Sequence, residues 1–284
     1  MATLAANTYN LKFCFTTWLC PEWTSAAILD GMQTYGYDGV ELRIGKGHLH
    51  GVELDSPAEY LTDVRKQFDE ANLAVACIST SFGFSSPDAL ERKKAAEGLK
   101  QALRVSEALG APYVRVFGGE IPPGYEVTGV VDYVSEALLE VSEYAEKEKL
   151  RSMVLLETQG GFSHSKFVSE VMSQVFSDKI GVLWDVLHPI RVLEKVEETY
   201  DALGDHIRHV HLRDCGFNDD RTKLESCAPG EGVVPLPRIA DLLKAGLFRG
   251  FLSVEPLKHE SDPDEALPLY AQFLKTLVAG KAKE

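Results

Sequence analysis

Short runs rich in apolar and β-branched residues recur along the whole chain. Each is followed by a longer segment in which apolar positions return every three or four residues. The first kind of run reads as a strand and the second as an amphipathic helix. The strand-like runs are Lys12–Thr17, Gly39–Ile44, Ala74–Thr80, Tyr113–Phe117, Met153–Thr158, Ile180–Asp185, Ile207–Asp214 and Phe251–Pro256. Helices are expected over roughly 22–35, 57–72, 87–109, 129–149, 165–177, 189–204, 236–246 and 263–279. Punctuation agrees with this reading. Ser56-Pro57 and Ser86-Pro87 place a proline at a first helical position behind a capping serine, and His188-Pro189 and Asp262-Pro263 look similar. Gly36, Gly110, Gly204 and Gly246 are expected to end helices, because glycine enters the left-handed region at little cost.

Strands that alternate with helices at this spacing form βαβ units and a parallel sheet. Eight units in 284 residues predict an α/β fold, a closed (β/α)8 TIM barrel in a single domain over residues 1–284, with residues 1–10 as an N-terminal extension. The competing architecture is an open doubly wound sheet, but no G-x-G-x-x-G follows the first strand. One connection is long, Cys215–Pro235, and a barrel would carry it over the C-terminal face, where barrel active sites lie.

Charge and cysteine content narrow the partners. Asp and Glu number 43 against 29 Lys and Arg, a net charge of −14 that repels phosphate backbones and anionic membrane surfaces. Neither nucleic acid nor membrane is therefore expected as a partner. The five cysteines are odd in number and form no C-x-x-C pair, which argues against a disulfide framework or a structural zinc ribbon and fits a reducing compartment. No basic segment precedes an apolar run near the start, and no stretch approaches the ~18 apolar residues of a membrane helix. The expected location is the cytoplasm.

The ends of the last four strands carry the candidate chemistry. VLLETQGG ends its strand at Glu157, VLWDVLHP at Asp185 and FLSVEP at Glu255, while HVHLRD carries His211. Side chains alternate across a strand, so Glu157 shares a face with Leu155 and Met153, Glu255 with Ser253, and His211 with His209 and Arg213. If that face is inward, four metal-competent side chains converge above the barrel core. Three carboxylates and one imidazole form a hard, oxygen-rich set that suits Mn²⁺ or Mg²⁺ best, with Co²⁺ or Zn²⁺ open. The ordinary alternative for any one of them is a solvated or salt-bridged strand end.

These motifs resemble the xylose isomerase-like barrel superfamily, in particular its sugar phosphate isomerase/epimerase group. In the first half the resemblance rests on GYDGVELR at 36–43 and ALGAPYVRVFGG at 108–119. In the second it rests on LLETQGG, WDVLHP, HVHLRD, PGEGVVPLPRI and GFLSVEP, which are the more specific part. The resemblance implies one divalent metal ion held by Glu157, Asp185, His211 and Glu255, and a small sugar or polyol-derived ketone as substrate. It implies that His188 contacts the substrate. It further implies that Glu157 and Glu255 exchange a substrate C–H proton through an enediolate, with His188 stabilising the developing oxyanion. Arg213 either holds a substrate oxygen or phosphate, or pairs with a barrel carboxylate such as Glu41. Trp18 either walls a sugar ring or packs in its loop. Relatives are often dimers or tetramers, so a homo-oligomer is carried over as an expectation.

The sequence also departs from the ketose 3-epimerase pattern. Ser163 stands where those enzymes carry a further Glu, Phe217 where they carry an Arg, and Gln159 where many relatives have His. His164 is read as a helix cap ahead of a substrate ligand, His48 and His50 as surface residues, and Glu231 as either surface or site. A dehydratase of inosose or 3-dehydroshikimate type shares the four ligands and remains the alternative function. An endonuclease IV-like reading fails because the third and fourth strands end in STSFG and VFGGE, without the histidines that family needs. An inert ligand-binding barrel is the non-enzymatic alternative.

Overall fold

The computed structural model describes residues 11–278 except 221 and 256–261. Pro256, the expected N-terminal extension 1–10 and the end of the expected last helix at 279 lie outside the described residues. The chain runs β1 (Lys12–Thr16), α1 (Ser25–Tyr35), β2 (Gly39–Arg43), α2 (Ala58–Glu70), β3 (Ala74–Gly83), α3 (Ala89–Leu109), β4 (Tyr113–Phe117), α4 (Val127–Lys147), β5 (Met153–Glu157), α5 (Ser165–Val175) and β6 (Ile180–Asp185). It continues through α6 (Leu187–Arg191), α7 (Val196–Leu203), β7 (Ile207–Leu212), β8 (Cys215–Phe217), β9 (Leu224–Ser226), α8 (Leu236–Ala245), β10 (Phe251–Val254) and α9 (Pro263–Val278).

Eight parallel strands close in the order β1-β10-β7-β6-β5-β4-β3-β2, with the helices outside. This is the expected (β/α)8 barrel. The long connection is not open loop throughout: β8 and β9 pair as a small antiparallel hairpin of their own. The expected helix over 189–204 is two helices, α6 and α7, separated where Leu193 takes a positive φ of 66°. Asp88, not Ser86, caps α3 by accepting from Leu90 N–H, so Pro87 precedes the helix. Pro57 likewise occupies the cap position of α2. Gly36 and Gly110 end their helices in the left-handed region, whereas Gly204 and Gly246 end theirs with negative φ.

Two cores result. The larger fills the space between helices and barrel, with Phe15, Ile78, Leu99, Leu138, Phe162 and Trp184 among its fully buried side chains. The barrel interior is different. Its apolar floor includes a small cluster of Cys14, Ala76 and Phe251 packed against Ala74, and the fully buried Leu155 and Leu183. Above that floor the inward positions turn polar, with Glu41, Ser79, Arg115, His209, His211 and Ser253 all buried. All five cysteines are free thiols, and among the described residues no helix is long and apolar enough to cross a membrane.

The closing strand leaves no room at its start. A Cβ on Gly250 would fall 1.9 Å from the carbonyl oxygen of Arg208, at the seam between β7 and β10. Backbone cannot give way as a flexible side chain does, so Gly250→Ala is expected to cost about 1–3 kcal/mol through overpacking. Scanning calorimetry should show a melting temperature lowered by several degrees; an unchanged value would contradict the tight closure.

Candidate active site

The parallel ladder brings the expected residues together. Asp185 is in register with His211, and His211 with Ser253, so β6, β7 and β10 deliver their last inward side chains at one level. One donor atom each from Glu157, Asp185, His211 and Glu255 lies within 4.8 Å of the others. Asp185 and His211 are fully buried and Glu157 nearly so, while Glu255 keeps a small exposed fraction.

His211 sits at the centre of this group. Its Nε2 lies 3.0 and 3.1 Å from the two carboxylate oxygens of Glu41. Its Nδ1 points the other way, 2.7 Å from Glu255 Oε2 and 3.3 Å from Glu157 Oε1. That nitrogen is buried without a hydrogen-bond partner, as is Glu157 Oε2. Burial alone would disfavour a charged His211, but Glu255, Glu41 and Glu157 outweigh it and carry its pKa well above that of an ordinary imidazole. The surrounding carboxylates therefore favour positive charge at Nδ1, either a proton or a cation. Three carboxylates and an imidazole nitrogen within 4.8 Å of one another fit around a single divalent cation.

Two guanidiniums balance the carboxylates. Arg213 donates to Asp185 and, at 2.8 Å, to Glu255. Of the two readings open for Arg213, the ion pair is present, though with these partners rather than with Glu41, whose carboxylate is engaged by histidines. Arg115 on β4 faces Glu157, Nε to Oε2 3.3 Å, with its guanidinium 4.1 Å over the Phe117 ring. Burial works against ionisation of both glutamates. Arg115 and His211 nevertheless lower the Glu157 pKa, and His211 and Arg213 hold Glu255 well below the usual carboxylate range. Arg43 on β2 lies beside this group and donates to Ser79 O and Ser81 Oγ.

His188, on the short helix α6, places Nε2 3.8 Å from Asp185 Oδ2, and burial lowers its pKa, which keeps it neutral at pH 7. Trp18 lies in the short turn Thr17–Leu19 after β1, at the C-terminal end where the ligands lie, and is partly buried. Ser163 donates to Gly160 O, and Phe217 is exposed on the hairpin. Glu231 is exposed, and Gln159 is half-buried beside Glu157 in the chain. His164 caps α5, accepting from Lys166 N–H.

His48 and His50 are not surface residues. His50 donates from Nε2 to Arg43 O and accepts at Nδ1 from Val52 N–H, so it holds the loop after β2 together. His48 Nδ1 faces Thr17 Oγ1 at 3.3 Å, and both rings are buried. The partner of His48 comes from the end of β1, whereas those of His50 lie in and just before its own loop.

Sequence reading passed over Arg115, the role of Glu41, and Asp214. The alternation in Tyr-Val-Arg-Val-Phe, applied as it was to β5 and β7, would have turned Arg115 inward. Asp214 accepts from the N–H groups of Cys215, Gly230, Gly232 and Val234, which pins the far end of the long connection beside Arg213.

The family model described as xylose isomerase-like TIM barrel matches residues 29–277. The chain belongs to this family. Over 232 residues it is 23% identical to fructoselysine 3-epimerase of Escherichia coli O157:H7, which covers 78% of this chain and 81% of that protein. Its fold matches the IOLI protein crystallised with a zinc atom, at TM-score 0.79 and 20% identity over 96% of this chain and all of the other. It also matches the probable 3-DHS dehydratase AsbF of Bacillus anthracis, at TM-score 0.76 and 16% identity over 93% of this chain and 99% of the other.

Burial, then the His50 ring and the Arg43 cation, push the His48 pKa down to about 4. The unfolded chain, with an ordinary imidazole near 6.5, binds the proton first as pH falls. His48 therefore subtracts stability progressively between about pH 6.5 and pH 4. Urea unfolding across that range should show a shallower loss in His48→Gln than in the wild type; equal slopes would contradict the assignment.

Proposed function

We propose that the protein is a divalent-metal-dependent epimerase or isomerase that moves a proton at a carbon next to the carbonyl of a small ketose or polyol-derived ketone. The observation that carries this reading is the pair Glu157 and Glu255: both face His211 Nδ1, and each has its own guanidinium, Arg115 or Arg213. Glu157, Asp185, His211 and Glu255 would hold the cation. A divalent ion bound there supplies Lewis acidity that makes a C–H beside a carbonyl removable by a carboxylate.

The residues of the chain then divide the remaining work. Arginine and histidine neighbours keep Glu157 and Glu255 ionised at neutral pH, so either can accept a proton. Two bases from separate strands let one remove the proton and the other return it from a different side, which inverts the carbon. His188 is neutral and can donate a hydrogen bond to developing negative charge on the substrate oxygen. Trp18 offers an aromatic wall beside the mouth. The similarity to fructoselysine 3-epimerase supports proton exchange at a sugar carbon.

Ser163 and Phe217 offer the substrate neither the carboxylate nor the guanidinium of ketose 3-epimerases, since the Ser163 hydroxyl is spent on Gly160 and Phe217 stands out on the hairpin. That observation keeps a second reading in play. A dehydratase would use the same proton abstraction and then expel a β-hydroxyl.

Turnover in D₂O separates the outcomes. Unphosphorylated ketoses and inososes should incorporate one solvent deuterium at the reacting carbon. Activity should vanish with a chelator and return with Mn²⁺ or Mg²⁺. Glu157→Gln and Glu255→Gln should each lower kcat by about 10²–10⁴-fold. Loss of water would select the dehydratase. Turnover without deuterium incorporation would contradict proton transfer altogether.

A further inference from the structure

Behind His211 lies a second buried cluster. Glu41, on β2, reaches across the barrel interior to β7 and meets both histidines of the His-Val-His run. His209 Nε2 is 2.9 Å from Glu41 Oε2, and His211 Nε2 is 3.0 Å from the same oxygen. Ser79 Oγ, on β3, donates to Glu41 Oε1. All four side chains are fully buried.

The partners fix where the protons sit. A buried carboxylate needs donors, and Ser79, His209 and His211 can supply three. If the His209 proton were on Nδ1, a donor would be buried with no acceptor, because Nδ1 has no partner, and the Nε2 lone pair would face the Glu41 anion. Placing it on Nε2 removes both penalties. On His211 the two oxygens of Glu41 likewise require a proton at Nε2, whatever occupies Nδ1. Nδ1 faces Glu157, Asp185 and Glu255, so it is the nitrogen where a cation can replace the proton that those carboxylates favour.

We propose that Glu41 is a positioning residue: backed by Ser79 and His209, it locks the ring of His211 with Nε2 protonated, so that Nδ1 is the atom given to the divalent cation. This rests on the metal reading of the four-residue site made above. Glu41, His209 and His211 also satisfy the distance requirement for a metal cluster of their own. Hydrogen-bond lengths of 2.9–3.1 Å with matched donors and acceptor favour a support over a second ion. A carboxylate behind a ligating imidazole orients the ring and raises its basicity, and removing such a partner weakens metal affinity about 10–100-fold.

Chelator competition with Mn²⁺ or Zn²⁺ on the wild type and on Glu41→Gln provides the affinity test. The expected result is one equivalent bound by the wild type and about 10–100-fold weaker binding by the variant. Long-range ¹H–¹⁵N correlation on the zinc-loaded wild type reads the tautomer directly, whether or not the variant folds. It should show His211 protonated at Nε2 and metal-shifted at Nδ1. The reverse assignment overturns the proposal, as does undiminished binding by a folded Glu41→Gln. Two equivalents per wild-type chain would make the second cluster a metal site and overturn it as well. A wild type that binds no metal removes the metal reading, and this inference with it.

Discussion

Glu157, Asp185 and Glu255 present carboxylate oxygens within 4.8 Å of one another in a mouth largely closed to water. At an effective dielectric near 20 each such pair repels by about 3–4 kcal/mol, on the order of 10 kcal/mol for the three. That is comparable to the whole stability of a typical domain. The remaining polar architecture of the barrel answers this repulsion. Arg213 sits between Asp185 and Glu255, Arg115 against Glu157, and His211 at the centre, held from behind by Glu41. A divalent cation at the same point, as proposed, would add two positive charges where the carboxylates converge.

The fold meets this demand through parallel pairing. Every barrel strand ends on the same face, and the register between β6, β7 and β10 sets Asp185, His211 and Ser253 side by side. Below them the apolar floor comprises the cluster of Cys14, Ala76 and Phe251 with Ala74, and the inward Leu155 and Leu183. The layer between floor and mouth is therefore a buried polar network, which is stabilising only while its members remain paired. The outer helix–barrel core, large and apolar, supplies the burial that makes such a centre tolerable.

Much of this was legible in one dimension, for identifiable reasons. β4 and β6 match their expected spans residue for residue, because their apolar runs are bounded by turns and, in β6, buried throughout. The four strand-end residues were visible because alternation and βα spacing place them without knowledge of loops. What escaped depended on how loops fold and on contacts between separate elements. His48 is buried against Thr17, 31 residues away, whereas His50 is held within its own loop by Arg43 and Val52, a fold that periodicity does not register. Asp214 gains three of its four backbone donors from residues 230–234. Arg115 and Glu41 lay within reach of the alternation rule, but a single inward charge on its own strand has no visible partner until the barrel closes. Gly204 and Gly246 end helices without entering the left-handed region, so composition located the stops but not their backbone form.

X-ray absorption at the manganese K-edge, on protein loaded with one equivalent of Mn²⁺, addresses the central claim most directly. The account predicts a single imidazole ligand, from His211, with the remaining scatterers oxygen. Two imidazoles, or a shell of oxygen alone, would contradict it.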